Sequence, residues 1–486
     1  MDSSCSPSTP ANRDLQSHEQ SIVLIRRRRV VEGSCWTCRK RRVKCDVRKP
    51  SCTRCLDARK NCSYGTTPPL RWVGDVSSRS CLASLASLKN SSTLSGLGVA
   101  RWSPPSSQPL EQSESKLYFS NVVLPRFVLN ESIERDLDDV LQNETLIGAI
   151  TAVSQAHYAR CSKVDVYDVS TVRKLARLSA IEAFRRCLQQ GLQSDSSAQR
   201  LFATNILFCI LDGMIEPSDE YNSSTCHLRG GWAILHKWPN TPTRMLLQDG
   251  LQAHLLSIYA TMDLVHALLG GHKPFFQSAI WNMFARLQTW FGRLPAGDKF
   301  LGILAAFSDM ASLGNVVHLD QSLDSVSLVS KCLPGIEAAL SLEGMQDAQG
   351  SLGRTNTPSP SPWAIFCSIY IMCGVIYLQR AVRSRPADDA RVQIAARHGV
   401  AKVIDQNLPA VMRHCIVFPV LIIGSHCTLA QDREAILQVL SPTSSYLSFG
   451  NMQLMADFLR ETWAREQTNQ TWWELFAPLS EKAFLF

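Results

Sequence analysis

Six cysteines fall within one short stretch, in the order Cys35-x2-Cys38-x6-Cys45-x6-Cys52-x2-Cys55-x6-Cys62, and the second half repeats the first at an offset of 17 residues. So short a span has too little apolar surface to fold unaided, so whatever binds its sulfurs decides whether it folds at all. The chain holds 17 Cys, an odd number, and those outside this stretch are scattered singly, which excludes a disulfide framework. The apolar run near the start, Ile22-Val23-Leu24-Ile25, is shorter than the roughly 7 to 15 residues of a secretory h-region, so the expected setting is a reducing intracellular compartment. There, clustered thiols read as metal ligands, and isolated ones such as Cys187, Cys209 and Cys373 read as core residues. Zinc takes four ligands in a tetrahedron, so two equivalent halves imply two ions and eight bonds. Six thiolates supply eight only when two sulfurs are shared, which makes Cys35, Cys38, Cys45, Cys52, Cys55 and Cys62 one binuclear cluster with two Zn²⁺ as cofactor. A RING-type site needs eight ligands and usually a His, and no His lies between Cys35 and Cys62.

The charge is as localised as the sulfur. Lys+Arg 50 against Asp+Glu 42 gives +8 overall, yet residues 21–65 alone carry +11 and the remainder −3. Such a window is built to meet a polyanion, and the rest of the chain need not touch it. Six thiolates and two Zn²⁺ sum to −2, which still leaves the window near +9. Between Cys38 and Cys45 runs Arg39-Lys40-Arg41-Arg42-Val43-Lys44, whereas the equivalent stretch from Leu56 to Asn61 has Arg59 and Lys60 offset by Asp57. The first half is therefore the expected contact face. A helix beginning at Cys38 would turn its N-terminal dipole to a phosphate and its cations to the major groove of double-stranded DNA, where Arg or Lys pairs with guanine O6 and N7. Upstream, Arg26-Arg27-Arg28-Arg29 reads as a nuclear-import run with non-specific phosphate contact as a second role.

The string Cys35-Trp36-Thr37-Cys38-Arg39-Lys40-Arg41-Arg42-Val43-Lys44-Cys45-Asp46, with Lys49-Pro50-Ser51-Cys52-Thr53-Arg54-Cys55 and Asn61-Cys62-Ser63-Tyr64, resembles the fungal zinc-cluster (Zn2Cys6) transcription factors at every ligand. The resemblance implies a nuclear regulator of RNA polymerase II genes that reads CGG-like triplets. It implies that Cys35 and Cys52 are the bridging sulfurs and that Pro50 shapes the loop between the halves. Arg41 and Arg42 match the family's base-reaching positions, and Arg39 and Lys44 match phosphate holders. Arg42 departs from the Lys that many members carry; its fork can still pair with guanine, but the preferred triplet is less fixed.

At 486 residues the chain has room for about three units, and 45% hydrophobic against 19% charged residues excludes a wholly disordered chain. The expected organisation is a basic tail over 1–30, the cluster over 31–65, a Ser/Pro-rich linker over 66–116 and an all-α region over 117–486. Within the linker Leu82, Leu85, Leu88, Leu94 and Leu97 lack heptad spacing and do not make a zipper. Beyond it, Leu146, Ile147, Ile150, Val153 and His157 share a helical face, as do Leu175, Leu178, Ile181, Phe184 and Leu188. Leu201 to Ile215 is apolar all round, capped by Ser197 or an adjacent Ser, and belongs at the centre of the domain. Ile416 to Ile423 is ambiguous, with Pro419 opposing a central strand. Trp363 to Leu378 falls short of the roughly 17 to 25 residues of a membrane span and reads as a buried helix, so no membrane partner is expected.

Leu146 to Arg160, the run His227-Leu228-Arg229-Gly230-Gly231-Trp232-Ala233-Ile234-Leu235, and Phe418 to Gly424 with Asp432-Arg433 resemble, less specifically, the all-α regulatory domain of one branch of the same family. His227 and Arg229 read as packing contacts near a helix start. His266, His272, His414 and His426 lack ligand spacing, and Trp463, Trp472 and Trp473 read as packing residues. No Gly-x-Ser-x-Gly, Gly-x-x-x-x-Gly-Lys or His-Glu-x-x-His occurs, so an enzyme is not expected. The competing reading is an α-helical ligand sensor or enzyme carrying the cluster as an accessory nucleic-acid grip. Homodimer or single half-site, the contact with the transcription machinery, and activation or repression are left open by the residues.

Overall fold

The computed structural model describes residues 34–41, 43–60, 62, 64, 110–129, 143–162, 167–190, 194–217, 223–319, 323–340, 360–465 and 470–485. The chain divides into two compact units, Met1–Arg71 and Trp72–Phe486. The leucines of the Ser-rich stretch and the Arg26 to Arg29 run lie outside the described residues.

The first unit contains two short helices, Trp36–Arg41 and Thr53–Asp57, one in each half of the cysteine repeat. Its buried apolar cluster consists of Cys35, Cys38, Cys45, Cys52 and Cys55, with Val47, Cys62 and Tyr64 packed against it. Among the described residues no aliphatic or aromatic side chain sits at its centre, so the sulfurs themselves are the core.

The second unit is all α among its described residues, with no strand. Helix Gln112–Tyr118 starts inside the stretch read as linker, because Glu111 and Glu114 close a capping box there. Leu110, Ser115 and Tyr118 are buried with it. Glu144–Ser162 buries Leu146, Ile150, Val153 and His157 and packs on Tyr167–Gln190. In the latter the buried stripe is Ala180 and Phe184, while Leu178 is exposed. Six residues at roughly 100° each leave Leu178 about 120° round the axis from Phe184, so spacing by threes falls short of a full turn and drifts off the face.

Asp195–Ile210 runs on through a π-helical turn, Leu211–Ile215, and both are buried nearly all round. Its cap is Ser194, whose hydroxyl accepts from the Ser197 amide at 3.2 Å; Ser197 itself is one turn inside the helix. Leu251–Gly270 is buried at every position and ends on Gly271, whose φ of 71° is the left-handed stop that glycine adopts freely. Pro362–Tyr377 begins with Ser361 as cap and Pro362 in the first turn, and buries the apolar run expected of it. Val417–Ser425 is helical despite Pro419, which sits in the first turn where no intrahelical N–H is required. Trp290, Phe291, Phe300, Trp363, Phe366 and Tyr370 then tie the Pro362–Tyr377 helix to the loop before Lys299–Leu319 through a run of edge-to-face and stacked rings.

Four helical runs are long and apolar enough to cross a membrane: Asp195–Ile215, Leu251–Gly270, Lys299–Leu319 and Pro362–Val382. The sequence reading weighed one of them. Each is 61% to 100% buried within the helical unit, so their apolar faces are covered by protein.

Candidate functional site

The cysteine repeat folds so that its two halves face each other. Cys35, Cys38, Cys45 and Cys52 form one group of sulfurs within 4.8 Å of one another, and Cys35, Cys52, Cys55 and Cys62 form a second. Cys35 and Cys52 are common to both. Four sulfurs placed about 2.3 Å from one ion at tetrahedral corners stand about 3.8 Å apart, whereas a disulfide requires about 2.05 Å. The observed Cys35–Cys52, Cys35–Cys55 and Cys38–Cys52 separations, each within one tetrad, are 3.6, 3.6 and 3.5 Å. All six thiols are free. The donor set and its spacing fit two zinc ions sharing two sulfurs.

Backbone N–H groups converge on these sulfurs. The amides of Cys35 and Val47 both donate to Cys45 Sγ at 3.4 Å, that of Cys38 to Cys35 Sγ at 3.3 Å, and that of Cys52 to Cys62 Sγ at 3.3 Å. At Cys45 burial opposes ionisation, but the two amides and Tyr64 outweigh it and hold the thiol below its ordinary value. Burial keeps Cys35 and Cys55 up, and Cys38 is pushed up to about 12. A bound divalent cation reverses that preference, since a coordinated thiol is deprotonated outright.

Two side chains brace the sulfurs from outside. The Tyr64 hydroxyl lies 3.6 Å from Cys45 Sγ and 3.1 Å from the Arg48 carbonyl. Asp46 accepts from the Thr53 amide at 3.1 Å and its hydroxyl at 2.6 Å, capping Thr53–Asp57, whose own N-cap Cys52 offers no side-chain bond. The two halves are thereby tied through Asp46. The loop between them contains the cis Lys49–Pro50 peptide and Val47 at φ 60°, an uncommon left-handed position for a β-branched residue. Sequence reasoning quoted Asp46 and Tyr64 in the motif but gave them no role; a carboxylate seven residues before a Ser or Thr at a helix start is not a recognisable spacing.

The cations are arranged differently from the expectation. The first helix starts at Trp36, two residues before Cys38, and spans six residues, so Arg39, Lys40 and Arg41 fall in its last turns rather than at its start. Cations there complement the helix dipole, leaving the amino end to Cys35 and Trp36. Arg41 is exposed, and its Nη1 donates to the Arg54 carbonyl of the other half at 3.0 Å. Lys44, Arg48, Lys49, Arg54, Arg59 and Lys60 are exposed as well. Arg42 lies outside the described residues.

In the helical unit, His227 is buried and pairs with Asp212 at 2.7 Å, and Arg177 holds the other oxygen of Asp212 at 2.7 Å. The residue read as a packing contact is thus part of an Arg177–Asp212–His227 network in which Asp212 and His227 are buried. His266 stacks on His272 at 5.1 Å, His414 meets the Val128 carbonyl at 3.0 Å and His426 the Ile422 carbonyl at 2.8 Å. Among the described residues only the cysteines form a metal-sized group.

A small module with thiolates for a core, followed by an all-helical unit, defines a metal-folded recognition module joined to a larger domain. Comparison with known proteins gives that architecture its family. Residues 33–71 match the fungal Zn(2)-Cys(6) binuclear cluster domain, and residues 98–486 match the fungal specific transcription factor domain. The chain belongs to this family of fungal transcription factors, and its first unit is a binuclear cluster domain of the kind that binds two zinc ions. It is 43% identical over 54 residues to white-opaque regulator 2 of Candida albicans, covering 10% of this chain and 12% of that protein. It is 50% identical over 42 residues to pestheic acid cluster transcriptional regulator 3 of Pestalotiopsis fici, covering 9% of this chain and 7% of that one. The chain thus matches only about a tenth of the length of these curated relatives. No solved structure matches it.

Proposed function

We propose that the protein is a nuclear, sequence-specific regulator of RNA polymerase II genes that reads CGG-like triplets in the major groove. In this reading Cys35, Cys38, Cys45 and Cys52 hold one zinc, Cys35, Cys52, Cys55 and Cys62 the other, and the metal supplies the rigidity that a core of sulfurs lacks when empty. The observation that carries it is the pair of sulfur tetrads sharing Cys35 and Cys52. Arg41 and Arg42 reach bases, and Arg39, Lys40 and Lys44 hold phosphates. The Arg41 bond to the Arg54 carbonyl uses one of five guanidinium N–H groups, so the side chain is aimed across the module while donors remain for guanine. Domain limits of 1–30 and 31–65 accompany this assignment, with the helical unit beginning by Leu110 rather than at residue 117. The apolar helices are core elements, and catalysis has no part in it.

In vitro selection of bound DNA, first with residues 1–120 and then with the full chain, tests site and half-site number together. Enrichment of a CGG-like triplet supports the reading, and paired triplets with the full chain alone support a homodimer built through the helical unit. Replacing Arg42 by Ala should cost about 1 to 3 kcal/mol on the selected site and little on random DNA, whereas Lys44→Ala should weaken both equally and lower the salt slope by about 1. Equal losses from Arg42→Ala on both DNAs would reject base reading.

A further inference from the structure

The helical unit holds a cavity of about 240 Å³ bordered by Val317, His318, Arg380, Ser384, Trp472 and Trp473. Its charged wall is Arg380, only 5% exposed. The Arg380 Nε donates to His426 Nε2 at 3.2 Å, Nη2 to the Gln470 carbonyl at 2.8 Å, and Nη1 to the Arg385 carbonyl. All three acceptors are neutral. His426 accepts at Nε2 and gives its Nδ1 proton to the Ile422 carbonyl at 2.8 Å, and burial holds its pKa down at about 3. Among the described residues no carboxylate lies within ion-pairing distance of Arg380, although its neighbours are matched: Arg383 with Glu337, Arg385 with Asp389. Asp388 acts on it only from an exposed position, and Glu474 at the next helix start is engaged by Thr471 in a capping box.

A buried full charge against neutral acceptors is incompletely compensated. Three of its five N–H groups are bonded and Arg380 is one of the cavity's lining residues, an arrangement that a planar carboxylate could complete. The remaining lining combines two indoles, Trp472 and Trp473, with the polar Ser384, Gln470 and Thr471, and Trp473 lies tilted at 45° to His318 with ring centres 4.8 Å apart. At about 240 Å³ the space is below the roughly 300 to 1,000 Å³ of drug-sized sites. From the unpaired Arg380, the indole walls and the volume, we infer that this cavity is a binding site for a small carboxylate with a flat apolar body, of the size of a monocyclic aromatic acid.

Calorimetric titration of the zinc-loaded full chain with sodium benzoate tests it, with acetate, benzyl alcohol and inorganic phosphate as the other arms. Saturable binding of benzoate at one site is expected, with acetate, lacking the ring, and benzyl alcohol, lacking the charge, each at least about tenfold weaker. Val317→Phe adds bulk at the cavity lining while leaving Arg380 in place, so it should abolish the heat, and its melting temperature, read alongside, separates loss of the site from loss of the fold. Arg380→Lys should weaken benzoate about tenfold or more through loss of the fork. No heat from benzoate, unchanged binding in Val317→Phe, or equal affinity for benzyl alcohol or phosphate would overturn the assignment. None of these titrations contains DNA, so the outcome is independent of the zinc-cluster reading.

Discussion

Tyr64 has one hydroxyl proton to share between the Cys45 sulfur and the Arg48 carbonyl, so it fixes a ligand and the loop between the halves at once. Removing it in Tyr64→Phe should loosen the cluster without altering the ligand count. Zinc should pass to a competing chelator with about tenfold lower retention at a stoichiometry still near two per chain. Asp46 acts through Thr53, whose hydroxyl and amide depress its carboxyl to about 2. Because the folded value lies below the ordinary one of about 3.9, its contribution to stability is fully present above that pH. It is lost as pH falls through about 2. At neutral pH, where the cluster keeps its metal, Thr53→Val should lower zinc retention against a competing chelator, because Asp46 loses its hydroxyl partner. Retention equal to the parent's would dismiss Asp46 as the cap. Both residues stood in the motif, but their contacts join positions 7 to 19 apart along an irregular chain, which no periodicity announces.

At the level of elements, close approach is set by particular small residues. The Ser223–Lys237 helix crosses Leu251–Gly270 and Asp195–Ile210 at Gly231, where an added Cβ would overlap the Tyr259 hydroxyl and stand 2.9 Å from Asn205 Nδ2. Those side chains are not free to leave: Tyr259 donates to the Leu228 carbonyl at 2.6 Å and Asn205 to the His227 carbonyl at 2.9 Å. Gly231→Ala should therefore cost about 1 to 3 kcal/mol by overpacking. At Gly230 the nearest atom is Asn205 Oδ1 at 3.4 Å, so Gly230→Ala should be neutral or gain up to about 1 kcal/mol of helix propensity. Thermal denaturation of the two variants side by side decides it; equal effects would remove the crossing argument. Likewise Ser194→Ala should cost about 1 kcal/mol as a lost N-cap, and Ser197→Ala less. The helices were legible because burial repeats with the helical period, yet which of two adjacent glycines carries the crossing depends on a partner helix some thirty residues away.

For the whole molecule, the two units draw stability from different sources. The first has sulfur for a core, whereas the second has one continuous apolar cluster running from Leu110 to Leu485. Stripping zinc should therefore abolish DNA binding while leaving the far-ultraviolet helical signal of the full chain largely intact. A cooperative loss of that signal on chelation would show that the helical unit depends on the metal. With 61% to 100% of each long apolar run covered by protein, the zinc-loaded chain should be monodisperse without detergent, and pelleting with membranes would contradict the burial seen here. Length and composition alone would allow these four runs to span a membrane, and it is the protein packed against them that says otherwise.

The cysteine order was sufficient by itself to name the metal and its stoichiometry, because a metal site requires ligand types at short fixed spacings that survive in one dimension. The all-α character followed for the same reason, from a period of 3.6. What tertiary structure alone decided was long-range: Asp46 reaching Thr53, Arg41 turning to the Arg54 carbonyl, His227 paired with Asp212, and a buried Arg380 left facing a cavity. Each joins groups whose separation along the chain carries no information about their separation in space, since only the closing of the core brings them together.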